Sequence, residues 1–153
     1  MDPMIARTAV GKEPDLPGDE RAFHDGAVLA AARQFVTAPW QIVVNGKGRT
    51  IYGVAEGLYT DLVALDGTDT SVAWILEVET PTTLASDAAW LRLRRAAETG
   101  HHFILLVPSG YGEITERLAV RLGFTFGFVY EYCLAGGEFA LAAPRYDGAT
   151  ASA

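Results

Sequence analysis

The sequence predicts a single α/β domain built around a mixed β-sheet. A chain of 153 residues is long enough for one well-packed domain and too short for two of ordinary size. Half of its residues are apolar, which indicates a folded globular chain. Helix and strand patterns follow one another in the order α-β-β-β-α-β-α-β, and two tight-turn signals join the first three strands.

The first half of the chain predicts one helix followed by an antiparallel meander. Residues 1–17 carry three prolines and no periodicity, so we expect a flexible arm there. Asp19 is expected to cap a helix over residues 20–36, whose apolar residues line one face. Three strands are then predicted over residues 40–44, 49–65 and 71–80. The stretches "NGKG" and "DGTDT" predict the tight turns between them.

The second half of the chain predicts two helix–strand units. Thr82 or Thr83 is expected to cap the first helix, which Gly100 ends, and Ser109 to cap the second. The wholly apolar strand "HFILLVP" between the helices is typical of a strand that is buried on both faces. The predicted elements are a helix over 84–98, a strand over 102–108, a helix over 111–123 and a strand over 126–134. The domain should therefore span residues 18–143, with a frayed tail over 144–153.

Charge and cysteine usage restrict the classes of function. The net charge of −7 argues against a broad surface that coats nucleic acid, although a narrow metal-containing cleft could still cut DNA. The lone Cys133 excludes an internal disulfide and fits a reducing compartment, so we expect a cytoplasmic protein. Neither a signal peptide nor an apolar run of membrane-spanning length is visible, so no membrane association is expected.

Two carboxylates lie on one face of an otherwise apolar strand. Glu77 and Glu79 are two residues apart in "WILEVET", so their side chains share a face and repel each other. Across the "DGTDT" turn, Asp61 is about as far from the turn as Glu77 is. Three carboxylates that converge in this way are favourable around Mg²⁺ or Mn²⁺, because hard cations prefer oxygen ligands. The alternative is an exposed strand end that carries solvated acids.

The stretches "YTDLVALDG" and "WILEVET" resemble the core of the PD-(D/E)XK nuclease superfamily in its E-x-E variant. They also resemble small, poorly characterised bacterial members in which a Trp-containing helix and an apolar strand follow. Asp61 matches the Asp of the motif, with Thr60 in place of its Pro, Glu77 matches the second acid, and Glu79 stands where the usual Lys would be. The resemblance covers roughly residues 19–125. It implies a restriction-endonuclease-like fold and Mg²⁺-dependent hydrolysis of DNA phosphodiester bonds, with these three acids as metal ligands and catalytic residues.

The resemblance leaves the role of the motif lysine unfilled. The chain has only Lys12 and Lys47, one in the predicted arm and one at a predicted turn. Arg92 and Arg95, three residues apart on one helix, are the nearest cations and are expected to bind phosphate. Catalysis would then depend on Glu79 as metal ligand or general base.

Other interpretations stay open at this point. Glu20 or Asp25 could supply the further acid that many relatives carry on their first helix, although acids also favour a solvated first turn. The chain could be a catalytically inactive protein of the same fold that serves as a binding or assembly module, or a metal-binding regulator that contacts no nucleic acid. The sequence also leaves open whether a partner protein supplies the DNA-binding surface.

A homodimer is expected because cutting both DNA strands needs two active sites. The strand "FGFVYEYCL" is predicted to be the outermost strand of the sheet. Phe128, Tyr130 and Tyr132 share one of its faces, so this strand or its adjoining helix is the predicted interface.

Overall fold

A computed structural model describes residues 16, 18–35, 39–46, 51–142 and 145–146 of the chain. Its helices are α1 (Gly18–Gln34), α2 (Pro81–Leu84), α3 (Asp87–Glu98) and α4 (Gly112–Leu122). Its strands are β1 (Trp40–Val44), β2 (Leu62–Asp66), β3 (Val72–Val78), β4 (His102–Pro108), β5 (Phe128–Ala135), β6 (Glu138–Leu141) and β7 (Arg145–Tyr146). One mixed sheet joins all of these strands in the order β1-β2-β3-β4-β5-β6, and β7 pairs with β5. The predicted single α/β domain with a mixed sheet is confirmed.

The predicted meander forms the antiparallel half of the sheet. β2 pairs with β1 on one side and with β3 on the other, and Leu62 lies opposite Leu76. The "DGTDT" turn between β2 and β3 is confirmed, because the Asp66 carboxylate accepts a hydrogen bond from the Thr68 amide at 2.8 Å. This register brings the start of β2 beside the end of β3, where the acids lie.

The connection between β1 and β2 is longer than the sequence predicts. The strand predicted from residue 49 begins only at Leu62, and Lys47 and Gly48 of the predicted "NGKG" turn lie outside the described residues. Asn45 is buried, and its side-chain amide donates to the carbonyls of Tyr52 and Thr60 and accepts from the Tyr52 amide. The Asn45 side chain therefore ties the described part of this connection to the end of β1.

The part of the sheet formed by β3, β4 and β5 is parallel and is covered on both faces. β3 pairs with β4, and β4 with β5, in parallel register, and the apolar core of β4 is buried as predicted. On one face, α1 packs through Ala27, Val28 and Ala31. On the opposite face, α3 packs through residues that include Trp90 and Leu93. Parallel strands that are sandwiched in this way require the near-continuous apolar pattern that β4 shows.

Several predicted helix boundaries were wrong. α1 begins at Gly18, so Asp19 lies in its first turn and does not cap it. The helix predicted over residues 84–98 begins only at Asp87, with Ser86 and not Thr82 or Thr83 at its N-cap position. Leu84 ends the separate short helix α2, which starts with a capping box of Thr80 and Thr83. Ser109 caps nothing, since Tyr111 occupies the N-cap position of α4. The C-terminal end of α4 was predicted correctly, at a Gly123 with φ of 82°.

The prediction that β5 is the outermost strand was wrong. β4 flanks it on one side, and β6 and β7 pair with it on the other, so part of the predicted tail over 144–153 belongs to the sheet. Tyr132 is buried and Tyr130 packs against the core, so the aromatic face is not an open surface. The structure therefore removes the reason for dimerisation through this strand. The rest of the tail, and the arm apart from Leu16, lie outside the described residues.

Among the helices of the described segments, none combines the length and apolar character needed to cross a membrane.

Candidate carboxylate site

The three predicted acids meet at one end of the sheet. Asp61 directly precedes β2, Glu77 lies near the end of β3, and Glu79 follows β3. The Asp61 amide donates to Glu77 Oε1 at 3.1 Å, and Asp61 Oδ2 accepts from the Val78 amide at 2.8 Å. The antiparallel pairing of β2 with β3 thus brings Asp61 against the glutamate-bearing end of β3.

Both glutamates are buried, which excludes an exposed strand end with solvated acids. The exposed fraction is 1% for Glu77 and 0% for Glu79. β5, which lies beyond β4, helps to enclose them, because its buried Tyr132 donates its hydroxyl hydrogen bond to the Glu79 carbonyl at 2.8 Å. Burial raises the pKa of the Tyr132 hydroxyl, and the charge of Glu79 raises it further. Carboxylates this deep require a compensating positive charge nearby.

Arg92 of α3 supplies that positive charge. Its Nη2 atom lies 3.1 Å from Glu77 Oε2 and 3.0 Å from Glu79 Oε1, so a single nitrogen contacts both carboxylates. Arg92 itself is only 8% exposed. The structure therefore places this predicted phosphate-binding arginine among the acids.

Arg95 has a different environment from Arg92. One helical turn further along α3, its Nη2 atom donates to the backbone carbonyl of Glu56 at 2.6 Å in an exposed contact. The two arginines that the sequence pairs as phosphate ligands are therefore separated by the structure into one buried ion-pair partner and one that holds a surface loop.

His24 joins the acid site from α1, and the sequence analysis missed it. Its Nε2 atom lies 3.4 Å from Asp61 Oδ2, and its Nδ1 atom lies 3.0 Å from Asp25 Oδ1. Burial alone lowers the pKa of His24, but the charge and hydrogen bond of Asp61 outweigh this and raise it to about 10. A usable signal existed, because His24 precedes the buried Val28 by four residues and Ala31 by seven, which places it on the inward face of α1.

The effect of His24 on Asp61 is reciprocal. Burial raises the pKa of Asp61, but the His24 charge and its hydrogen bond outweigh burial, and Arg92 adds to them, so the pKa of Asp61 is lowered. Asp61 is accordingly held as a carboxylate. The site is a network of three acids and two cations drawn from α1, α3 and the ends of β2 and β3.

Glu20, the candidate for an additional acid, lies outside this network. Its carboxylate accepts hydrogen bonds from the Thr82 amide at 2.9 Å and from the Thr82 hydroxyl at 2.8 Å. Burial raises the pKa of Glu20, but hydrogen bonds from Thr80 and Thr82 outweigh it and lower the pKa. Glu20 therefore attaches the first turn of α1 to the N-terminal end of α2.

We expect Glu20→Ala to lower the free energy of unfolding by about 1–2 kcal/mol, because the Thr82 amide at the start of α2 loses its partner. For a chain of this size that corresponds to a fall in Tm of about 2–6 °C, measurable by circular dichroism. Glu113→Ala is the control, because it removes an exposed ion pair with Arg117 that contributes little. Equal shifts in the two variants would show that the Glu20 contact has no special role.

The donor chemistry of this site fits a hard divalent cation, but the present arrangement is that of an ion-pair network. Three carboxylates are the ligands that Mg²⁺ and Mn²⁺ prefer. Within the segments that the structure describes, no group of three or more His, Cys, Asp and Glu side chains is disposed as a metal centre requires. Arg92 lies against Glu77 Oε2 and Glu79 Oε1, and the Asp61 amide donates to Glu77 Oε1, so these oxygens already have contacts that an ion would have to replace.

The fold and the site together define a single-domain mixed α/β protein with a buried, ion-paired carboxylate site at the end of a central strand. The chain matches no family model, no curated protein and no solved structure. Any assignment of function therefore depends on the site itself.

Proposed function

We propose that this chain is a nuclease-like protein of restriction-endonuclease-like fold that hydrolyses DNA phosphodiester bonds with the help of Mg²⁺ or Mn²⁺. The observation that carries the proposal is the convergence of Asp61, Glu77 and Glu79 at one end of the sheet, where His24 contacts Asp61 and Arg92 contacts both glutamates. Buried negative charge of this density is costly unless cations neutralise it, and a divalent ion would be one such cation.

The order of elements supports the same proposal. A helix, a three-stranded meander, a helical crossover and a parallel strand follow one another in α1, β1–β3, α3 and β4. This is the α-β-β-β-α-β order of the superfamily that the sequence resembles. The two halves of its motif, which are 16 residues apart between Asp61 and Glu77, are joined here by a hydrogen bond.

The proposed roles follow from position and charge. Asp61, Glu77 and Glu79 would hold the ion, which when bound supplies an activated water and charge stabilisation for the phosphodiester transition state. His24 keeps Asp61 ionised, as its effect on the pKa of that carboxyl shows. Arg95, at the surface, is better placed than the buried Arg92 to contact a phosphate.

A second candidate function is a non-catalytic binding or assembly module of the same fold. Two observations favour it. Arg92 already neutralises both buried glutamates, which is what a structural ion-pair network needs. The motif position of the usual lysine is also occupied by Glu79, and the only lysines in the chain are Lys12 and Lys47.

The two functions are separated by a cleavage assay on plasmid, single-stranded DNA and RNA with Mg²⁺, Mn²⁺ or EDTA. We expect metal-dependent DNA cleavage that falls at least about 100-fold in Asp61→Asn and in Glu77→Gln, because each variant removes a charged ligand. Glu113→Gln, a substitution at an exposed site on α4, should leave cleavage unchanged. Absence of cleavage by the wild-type chain under all conditions would favour the non-catalytic module.

Association remains part of the proposal, and because β5 is not the outermost strand, the adjoining helix α4 is the remaining predicted interface. Cleavage of both DNA strands needs two sites, and an acidic chain of 16.4 kDa has little surface for gripping duplex DNA. Light scattering with and without DNA distinguishes a homodimer from a chain that needs a partner protein to supply DNA binding.

A further inference from the structure

We infer that Arg92 is a built-in counter-ion that holds the carboxylate site closed, so that a divalent cation can bind only by displacing its guanidinium group. This inference rests on the proposed function, because it concerns the same three acids. The sequence predicts that Arg92 contacts a phosphate and so acts together with a bound ion. The inference gives Arg92 the opposite role, because its guanidinium group would compete with that ion for the carboxylates.

A single nitrogen atom of Arg92 contacts two acids. Arg92 Nη2 lies 3.1 Å from Glu77 Oε2 and 3.0 Å from Glu79 Oε1. Both are ion-pair distances, the contact with Glu79 is also a hydrogen bond, and all three side chains are at least nine-tenths buried. The guanidinium therefore lies between the two acids that a divalent ion would have to share.

Arg92 and a divalent ion cannot occupy the carboxylate site together. A divalent ion would need lone pairs of the same carboxylates, and it would place two further positive charges against a buried guanidinium. Like charges at such short distances in a site shielded from water repel strongly. The site can accordingly hold the arginine or the ion, and metal binding must be coupled to movement of Arg92.

Competition with Arg92 should lower the apparent affinity of the site for the ion. When a ligand binds only a minor open state, its apparent affinity is reduced by the fraction of molecules that are open. A buried pair of ion-pair contacts favours the closed state, so wild-type protein should bind the ion weakly. Removing the guanidinium should raise the affinity at least about tenfold, since the closed state then loses its cation.

Arg95 provides a matched control within the same helix. It lies one turn from Arg92, carries the same charge and makes its hydrogen bond to the Glu56 carbonyl. Arg95→Gln therefore changes the net charge of the protein by the same amount as Arg92→Gln, but it leaves the carboxylates and their counter-ion in place. A general electrostatic effect on Mn²⁺ affinity would appear in both variants, whereas the effect of removing the counter-ion would appear only in Arg92→Gln.

The test is titration of MnCl₂ into wild-type, Arg92→Gln and Arg95→Gln protein, followed by calorimetry and by the paramagnetic signal of free Mn²⁺. We expect Arg92→Gln to bind Mn²⁺ at least about tenfold more tightly than wild type, and Arg95→Gln to bind as wild type does. Equal affinity in wild type and Arg92→Gln would overturn the inference and leave the proposed metal site intact. No binding in either would overturn both. Tighter Mn²⁺ binding by Arg92→Gln than by wild type, without DNA cleavage by any of the proteins, would support the inference and contradict the proposed function.

A second pair of variants keeps the test decisive if Arg92→Gln does not fold without metal. The double variant Glu79→Gln with Arg92→Gln removes one charge of each sign, so the net charge of the network is unchanged. Its reference is Glu79→Gln alone, in which Arg92 still pairs with Glu77. Tighter Mn²⁺ binding by the double variant than by its reference supports the inference, and equal or weaker binding overturns it.

Discussion

Replacing Arg92 with methionine is expected to lower the free energy of unfolding by about 3–5 kcal/mol, because it leaves two buried glutamates without their shared counter-ion. Both carboxylates contact Arg92 Nη2 in the native structure, and neither is more than 1% exposed. Methionine keeps much of the length of the side chain, so the loss is one of charge more than of packing. The Tm should fall by roughly 10 °C at neutral pH.

The control is a neutral triple variant that combines Arg92→Met with Glu77→Gln and Glu79→Gln. Replacing a whole buried ion-pair network by uncharged side chains of similar volume is often neutral or stabilising, whereas removal of one partner is costly. We therefore expect the triple variant to regain most of the lost stability in urea unfolding at pH 7. A single variant within about 1 kcal/mol of wild type would mean that water or another cation already neutralises the glutamates.

The second large effect is a loss of stability at alkaline pH, which we expect from the pairing of His24 with Asp61. The folded-state pKa of His24 is about 10, against 6.5 for the free side chain. Because the pKa is raised on folding, the stabilisation is fully present below pH 6.5 and is lost as the pH rises toward 10. The free energy of unfolding should fall by roughly 1 kcal/mol per pH unit over this window.

Urea unfolding of wild type and His24→Gln at pH 6.5, 8 and 9.5 measures this effect. Wild type should lose stability steadily across the series, whereas His24→Gln should start lower and change much less. On the acid side, the pKa of Asp61 is lowered, so its contribution is present above its ordinary value of 3.8 and is lost as the pH falls through the lowered one. If the free energies of unfolding of the two proteins changed in parallel between pH 6.5 and 9.5, the His24–Asp61 pair would not be the source of the pH-dependent stability.

The two stability tests also bear on function, because they ask how the chain neutralises its acids without a metal ion. A network that is stable through Arg92 and His24 can persist as a structural element of a non-catalytic module. If the proposed function is right, the same acids would bind a divalent ion once Arg92 moved. The Mn²⁺ titration and the cleavage assay decide which of these properties the protein uses.

The sequence by itself determined the layered fold and the location of the acids. Alternation and turn chemistry are local, so "DGTDT" and the acids of "LEVET" predicted the β2–β3 hairpin and the meeting of Asp61 with Glu77. The burial of β4 was also predictable from its apolar sequence, because a strand covered on both faces has no polar side. These features depend on residues that are close in sequence or on a pattern repeated along one element.

Only the tertiary structure decided what surrounds those acids. A strand pattern shows that Glu77 and Glu79 share a face, but it does not show that Arg92 of α3 covers that face or that His24 reaches Asp61 from a helix 37 residues earlier. The same limit explains the wrong prediction for β5. Its pattern is that of any strand with one apolar face, and it does not show that β6 and β7 pair with this strand. Burial, counter-charge and strand neighbours arise from packing between distant segments, and the free energy of a buried carboxylate depends on those contacts and not on its own place in the sequence.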